Sequence, residues 1–302
     1  MDMERASETG RLGSASRLAI RPAVAADAEA AGRIMHDAFA GIAAAHGFPK
    51  DIPSREAGIG LAGALLADPG HFGVVAELGG VVVGSNFLAE ADAVRGVGPI
   101  TVDPEWQQAG IGRRLMQAVL DRAHGAISVR LVQDSFNTRS LALYASLGFE
   151  VKAPLLLIEG TPRAQLPAGA EVRPMTEADI AGCDALCEAA HGVARTNEIR
   201  AALGQGTPMV LERRGRILAY LTSPGFWVAN HGVAETEQDM AALLAGAAAA
   251  LGGPVSLLLP GRQAGLLRWA LSEGMRVVKP MTLMARGAYR VPGRCWFPSV
   301  FY

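Results

Sequence analysis

The hydrophobic positions of this chain fall into two successive series of elements. In the first, Ile20-Arg21-Pro22 ends a short β-rich run, and a helical pattern follows Asp27 from Ala28 to Phe39. Val74–Glu77 and Val81–Val83 flank Gly79-Gly80, which predicts a hairpin. A strand follows over Val97–Val102, then a helix from about Gly112 to Ala123. Leu115, Val119 and Ala123 recur at helical spacing in that helix and predict its inward stripe. Ile127–Val132 predicts the next strand. In the short helix after it, Leu141, Tyr144 and Leu147 share a face and Gly148 supplies the stop.

The second series restates the first. Val172-Arg173-Pro174 and Asp179 repeat Ile20-Arg21-Pro22 and Asp27 at one constant offset. A helical pattern over Ala178–Ala190 and a hairpin of Met209–Glu212 and Ile217–Ala219 around Gly215 follow. Leu147-Gly148-Phe149 and Pro154 find counterparts in Glu273-Gly274-Met275 and Pro280. Four matches in the same order predict a duplication, hence two α/β units. The expected division is a flexible tail over 1–17, a first unit over 18–160, a linker over 161–169 and a second unit over 170–302. Thr161-Pro162 and Leu166-Pro167-Ala168-Gly169 carry the linker reading. Met240–Leu259 approaches membrane-spanning length, but Gly252-Gly253-Pro254 interrupts it. An alanine-rich helix, a turn and a buried strand are expected there.

Composition narrows the function. Half of the 302 residues are hydrophobic and 19% are charged, enough for sizeable cores. The net charge of -1 gives no sign of a nucleic-acid or membrane partner. Three cysteines, Cys183, Cys187 and Cys295, show no metal spacing and suit a reduced cytoplasmic setting. Residues 1–17 lack the apolar segment of a signal peptide.

The candidate chemistry starts at Gln107-Gln108-Ala109-Gly110-Ile111-Gly112, between the strand ending at Val102 and the helix that follows. A glycine-bearing turn that opens a helix presents unpaired N–H groups and the positive end of the helix dipole, a cradle for a diphosphate. Leu115 stands where a dinucleotide fingerprint needs its third glycine, and no P-loop lysine is present. Arg113 and Arg114 oppose the dipole in the first helical turn, a local cost that a phosphate partner explains. The second half has no such turn. Its corresponding helix begins with Glu237-Gln238-Asp239, whose carboxylates would repel a diphosphate.

The order of strand, Val102-x-Pro104, Gln107-x-x-Gly110-x-Gly112, helix, strand, Asn137-x-x-Ser140-x-x-x-Tyr144-x-x-x-Gly148-Phe149 resembles the GNAT superfamily of acyl-CoA-dependent N-acyltransferases. The resemblance spans about 18–160, and the second half is similar to a divergent copy, as in tandem-GNAT proteins. It implies an α/β (α+β) fold of two units, each a mixed, mostly antiparallel central sheet flanked by helices, with splayed strands at the cofactor site. It implies acetyl-CoA as cosubstrate, with no metal. The amides of Gln107, Gln108, Ala109, Gly110, Ile111, Gly112 and Arg113 would bind the diphosphate. Ile100 and Val102 would offer backbone groups to the pantetheine arm. Asn137 would hold the cofactor or its loop, and Tyr144 would protonate the leaving thiolate.

No base stands on Val97–Val102. Glu90, Asp92, His36, Asp37 and His46 are candidates beside an ordered water. In the second half Ala270 stands for Tyr144 and Gln263 for Asn137, so that unit is expected to be silent. Trp296-Phe297-Pro298 and Phe301-Tyr302 are expected to cap an interface, and a homodimer stays open. The expected function is an N-acetyltransferase acting on a small-molecule primary amine through a ternary complex. Its alternatives are a non-catalytic acyl-CoA-binding or regulatory module and a scaffold for assembly.

Overall fold

A computed structural model of the protein describes residues 18–107 and 110–301. The tail over 1–17, Gln108, Ala109 and Tyr302 lie outside the described residues. The first half runs β1 (Ala19–Pro22), α1 (Ala28–His46), α2 (Arg55–Ala67), β2 (His71–Leu78), β3 (Val81–Ala89), β4 (Val94–Val97), β5 (Thr101–Val102), α3 (Ile111–Arg122), β6 (Ser128–Asp134), α4 (Thr138–Ser146) and β7 (Glu150–Gly160). The second runs β8 (Ala170–Pro174), α5 (Ile180–His191), α6 (Thr196–Gln205), β9 (Met209–Arg213), β10 (Arg216–Leu221), β11 (Gly232–Ala234), α7 (Glu237–Leu251), β12 (Val255–Pro260), α8 (Ala264–Ser272), β13 (Arg276–Gly287) and β14 (Cys295–Phe297). The Met240–Leu259 run is therefore helix α7, a turn and strand β12. Among the described residues no helix is long and apolar enough to cross a membrane.

The repeated Arg-Pro…Asp motif has a physical cause. Arg21 binds Asp27 at 2.8 Å and Glu77 at 2.8 Å, tying β1 to the start of α1 and to β2. Arg173 binds Asp179 at 2.8 Å and Glu212 at 2.7 Å, repeating the arrangement with β8 and β9. Each aspartate also accepts the backbone N–H three residues before it, at Val24 and Thr176, both at 2.8 Å. Two fork-shaped guanidinium pairs thus fix the angle between each opening strand and its helix.

The two halves share one sheet. A nine-stranded sheet has the order β1-β2-β3-β4-β6-β13-β7-β12, with β5 paired to β3. A five-stranded sheet has the order β14-β11-β10-β9-β8. Among the described residues the β4–β6 ladder is parallel and the other ladders are antiparallel. Strand β13, from the second half, enters between β6 and β7 of the first, and β7 in turn pairs with β12. Leu155 faces Met281 directly across the β7–β13 ladder. These two residues each follow one of the matched prolines, Pro154 and Pro280, so a local two-fold axis passes between them. Helices flank the sheets. The stripe on α3 is buried as expected, with Leu115 and Val119 at 0% exposure against the first-half core.

Candidate active site

The site begins where the sheet opens. The parallel β4–β6 ladder ends at Gly96 opposite Arg130. Past it, among the described residues, β5 pairs with β3 and not with β6. The Asp103 N–H donates to the Val83 carbonyl at 2.9 Å. Backbone groups alternate direction along a strand, so those of Ile100 and Val102 face away from β3 and into the opening. Both residues line a cleft of ≈ 690 Å³ between the splayed strands, the starts of α3 and α4, and the last turns of α1.

The turn ahead of α3 follows from its residues. Asp103 caps a short 3-10 turn, Pro104–Trp106, by accepting the Glu105 N–H at 3.0 Å. Gly110 is the N-cap of α3 at φ +74°, and open space surrounds the position a Cβ would take. A side chain there would pay for left-handed backbone, and it would stand in the cleft that Gly110 lines. The first bond of this turn runs from Arg114 N–H to the Gly110 carbonyl at 3.3 Å. The amides of Ile111, Gly112 and Arg113 precede it and carry the positive end of the helix dipole. Gln107 is anchored twice, donating to the Val102 carbonyl at 3.3 Å and accepting from Arg139 at 3.0 Å. Arg113 donates to the Ser146 hydroxyl at 2.7 Å, which holds its guanidinium against α4. This wall can hold a diphosphate: a left-handed glycine, first-turn amides and two tethered cations. Gln108 and Ala109 belong to the same expected cradle and lie outside the described residues.

Helix α4 supplies the opposite wall. Asn137 caps it by accepting the Ser140 N–H at 3.1 Å, which leaves the Asn137 amide NH₂ as its donor. Tyr144, two turns on, is 6% exposed and packs edge-on against Phe149 with ring centroids 6.2 Å apart. Burial pushes its phenol up to about 12, with Ser140 opposing. The O–H therefore stays protonated across the working pH range and is a proton donor in the cleft it lines. Every described residue of the expected cofactor wall thus borders one cleft: Ile100, Val102, Gln107, Gly110, Ile111, Gly112, Arg113, Asn137 and Tyr144.

The base candidates separate. Glu90 is bound to Arg122 at 2.7 Å. Asp92 caps α6 of the second half, accepting the N–H groups of Asn197 and Glu198 at 3.2 and 3.0 Å. Asp37 binds Arg55 at 2.8 Å and His36 at 2.9 Å. Of the five, His46 lines the cleft. It does so because α1 continues from Phe39 to His46, beyond the expected helix, and brings Ile42, Ala45 and His46 to the opening.

One group was not foreseen. Lys279 of β13, 2% exposed, lies 2.6 Å from Asp51 and 2.6 Å from Asp134 at the end of β6. Burial raises the Asp134 carboxyl, and the Lys279 charge opposes that shift. A lone lysine in the apolar run Val277-Val278-Lys279-Pro280 was the available signal. Cys187, His191 and His231 form a second unforeseen cluster, with ligand atoms within 4.8 Å of one another. His231 reaches it from another element, which sequence spacing does not reveal. Burial first, and then the Arg195 charge, push both imidazoles well below their ordinary value. That nearby positive charge opposes a bound cation.

Residues 39–149 match the model of the acetyltransferase (GNAT) family. That stretch is similar to the GNAT family. The N-alpha-acetyltransferase RimI of Mycobacterium tuberculosis is 39% identical over 89 residues, covering 28% of this chain and 56% of that protein. The chain thus spans about half the length of the curated relative it matches. Two solved structures share its fold at low identity. A candidate acetyltransferase from Pyrococcus horikoshii matches over 98% of both chains, with TM-score 0.73 and 17% identity. A tandem GNAT protein from the clavulanic acid biosynthesis pathway covers 89% of this chain and 98% of its own, with TM-score 0.58 and 16% identity.

Within this chain the corresponding opening of the second half is filled. Strand β14 pairs with β11, Trp296 opposite Val233, and packs against β12. Gln263, the α8 N-cap in the place of Asn137, accepts the Trp296 N–H at 3.1 Å and donates to the Trp296 carbonyl. Ala270, in the place of Tyr144, is buried. The aromatic tail expected at an interface is thus internal in part: Trp296 and Phe297 are both 0% exposed within the second half. The polymer prefers this arrangement because a strand there pairs backbone groups that the opening would otherwise leave without strand partners.

Proposed function

We propose that the first half transfers an acetyl group from acetyl-CoA to a primary amine of a small molecule, with both substrates bound at once. The observation that carries this reading is the meeting of the Gly110 turn and the buried Tyr144 phenol in one cleft. Acetyl-CoA supplies the acetyl group as an activated thioester. The amides of Gln107 through Arg113 bind the diphosphate, with Arg113 and Arg139 adding charge. Backbone groups of Ile100 and Val102 receive the pantetheine arm, and an amide on that strand stabilises the oxyanion as the amine attacks. Asn137 steadies the start of α4 and presents its NH₂ group to the cofactor side. The Tyr144 O–H gives its proton to the departing sulfur.

Direct transfer fits the positions of the thiols. Cys183, Cys187 and Cys295 are buried in the second half and do not line the cleft, so no cysteine is offered as an acyl carrier. The second half acts as a silent partner, because β14 fills its opening and Ala270 carries no proton. Release of CoA, followed across a panel of amines with wild type and Tyr144→Phe side by side, tests the proposal. The expected result is release with at least one amine and a fall of about 10²–10⁴ in the variant. Tight acetyl-CoA binding with no release on any amine would favour a regulatory module instead.

A further inference from the structure

We propose that His46 is the catalytic base that takes the proton from the incoming ammonium. The inference rests on the acetyl-transfer reading above and deepens it. His46 ends α1 and lines the same cleft as Tyr144. Its Nδ1 lies 3.0 Å from the Ile42 carbonyl of its own helix. A carbonyl oxygen only accepts, so Nδ1 carries the hydrogen. In the neutral ring the lone pair is then on Nε2, across the ring from α1. A backbone acceptor fixes the tautomer here, as a carboxylate does in other catalytic histidines. The ring is also held in place, 5.0 Å from Phe136, whose other neighbour Phe48 stacks at 4.4 Å.

The charges at this end favour the same substrate. Asp134 of β6 interacts electrostatically with His46. Asp51 of the loop after α1 and Lys279 of β13 are bound to Asp134 or to each other. Two carboxylates against one ammonium leave a net negative charge, which attracts a cationic amine. Arg113 of α3 and Arg139 and Tyr144 of α4 are the other titratable groups that line the cleft. Arg139 is bound to Gln107 on the cofactor side.

The proton balance closes. His46 Nε2 takes one proton from the ammonium, which frees the nitrogen lone pair. The nitrogen then forms a bond to the acetyl carbon. The carbon–sulfur bond breaks, and sulfur leaves with its electron pair and receives the Tyr144 proton. The second proton of the attacking nitrogen restores the phenol, and His46 returns its own to solvent. One proton is released for each amide and thiol formed.

The test compares wild type with His46→Gln and His46→Ala. The acceptors are an alkylamine, charged at neutral pH, and an amine of low basicity that is neutral there. Acetyl-CoA affinity and thermal midpoint are measured on each protein as a check on the fold. The expected result is a loss of about 10²-fold in kcat/KM for the alkylamine. The loss for the neutral amine is expected to be within a few-fold. The acid limb of the wild-type pH profile should change in His46→Gln, and added imidazole should restore part of the His46→Ala rate. Equal small losses with both amines and an unchanged pH profile would overturn the role of His46 while leaving acetyl transfer intact. Acetyl-CoA binding with no CoA release from wild type would overturn both.

Discussion

At the scale of single residues, burial decides which groups can act. Tyr144 is shut away from water, and burial pushes its phenol up to about 12, so it keeps its proton at neutral pH. Asp27 and Asp179 experience the opposite effect. The guanidinium of Arg173 holds the Asp179 carboxyl well below the usual carboxylate range, and that of Arg21 lowers the Asp27 carboxyl. A carboxyl lowered in the folded state favours folding above its unfolded pKa of about 3.9. That contribution is lost as pH falls toward the folded value. Thermal unfolding followed from pH 7 to pH 2 should therefore show stability falling below about pH 4. Asp179→Asn should be less stable at pH 7 by about 2 kcal/mol, with a shallower decline in acid. Equal acid slopes in the two proteins would show that the pair does not set this dependence.

Elements show what periodicity discloses and what it does not. The inward stripe of α3 was legible because Leu115 and Val119 repeat at helical spacing. The turn at Gly110 was legible because left-handed backbone demands glycine there. The length of α1 was not. Gly41 and the alanines of its last turns carry little pattern, and Gly47 at φ +72° ends the helix eight residues past Phe39. His46 was named among the base candidates, but the helix pattern did not carry it to the cleft. Strand β14 was also missed, because three residues are too few for a pattern and their partner lies far along the chain. Its seat is tight: a Cβ on Gly232 would lie 2.5 Å from the Phe297 ring. Gly232→Ala should lower stability by about 1–3 kcal/mol, read as a fall in the denaturation midpoint. Unchanged stability would mean that β14 leaves its place easily.

For the whole molecule, the duplication was visible in sequence but the exchange of strands was not. Patterns of apolar residues report which face of a strand is buried. They do not report which strand lies beside it, and β7 and β13 have similar apolar faces. The exchange makes the first half depend on the second. Deleting residues 165–302 removes β13 from between β6 and β7, and with it Lys279 from its pairs with Asp51 and Asp134. We expect the truncated chain to be insoluble or to lose cooperative unfolding. A truncated protein with wild-type stability and kinetics would overturn that dependence.

The central claim is that the chain holds one acyl-CoA site, built on the turn at Gly110, while β14 closes the matching opening of the second half. Isothermal titration of the intact protein with acetyl-CoA tests it most directly, with Gly110→Glu as the paired variant. The expected result is one site per chain in wild type and no measurable binding in the variant, whose thermal midpoint is checked alongside. Two sites per chain, or one site that survives Gly110→Glu, would contradict the account.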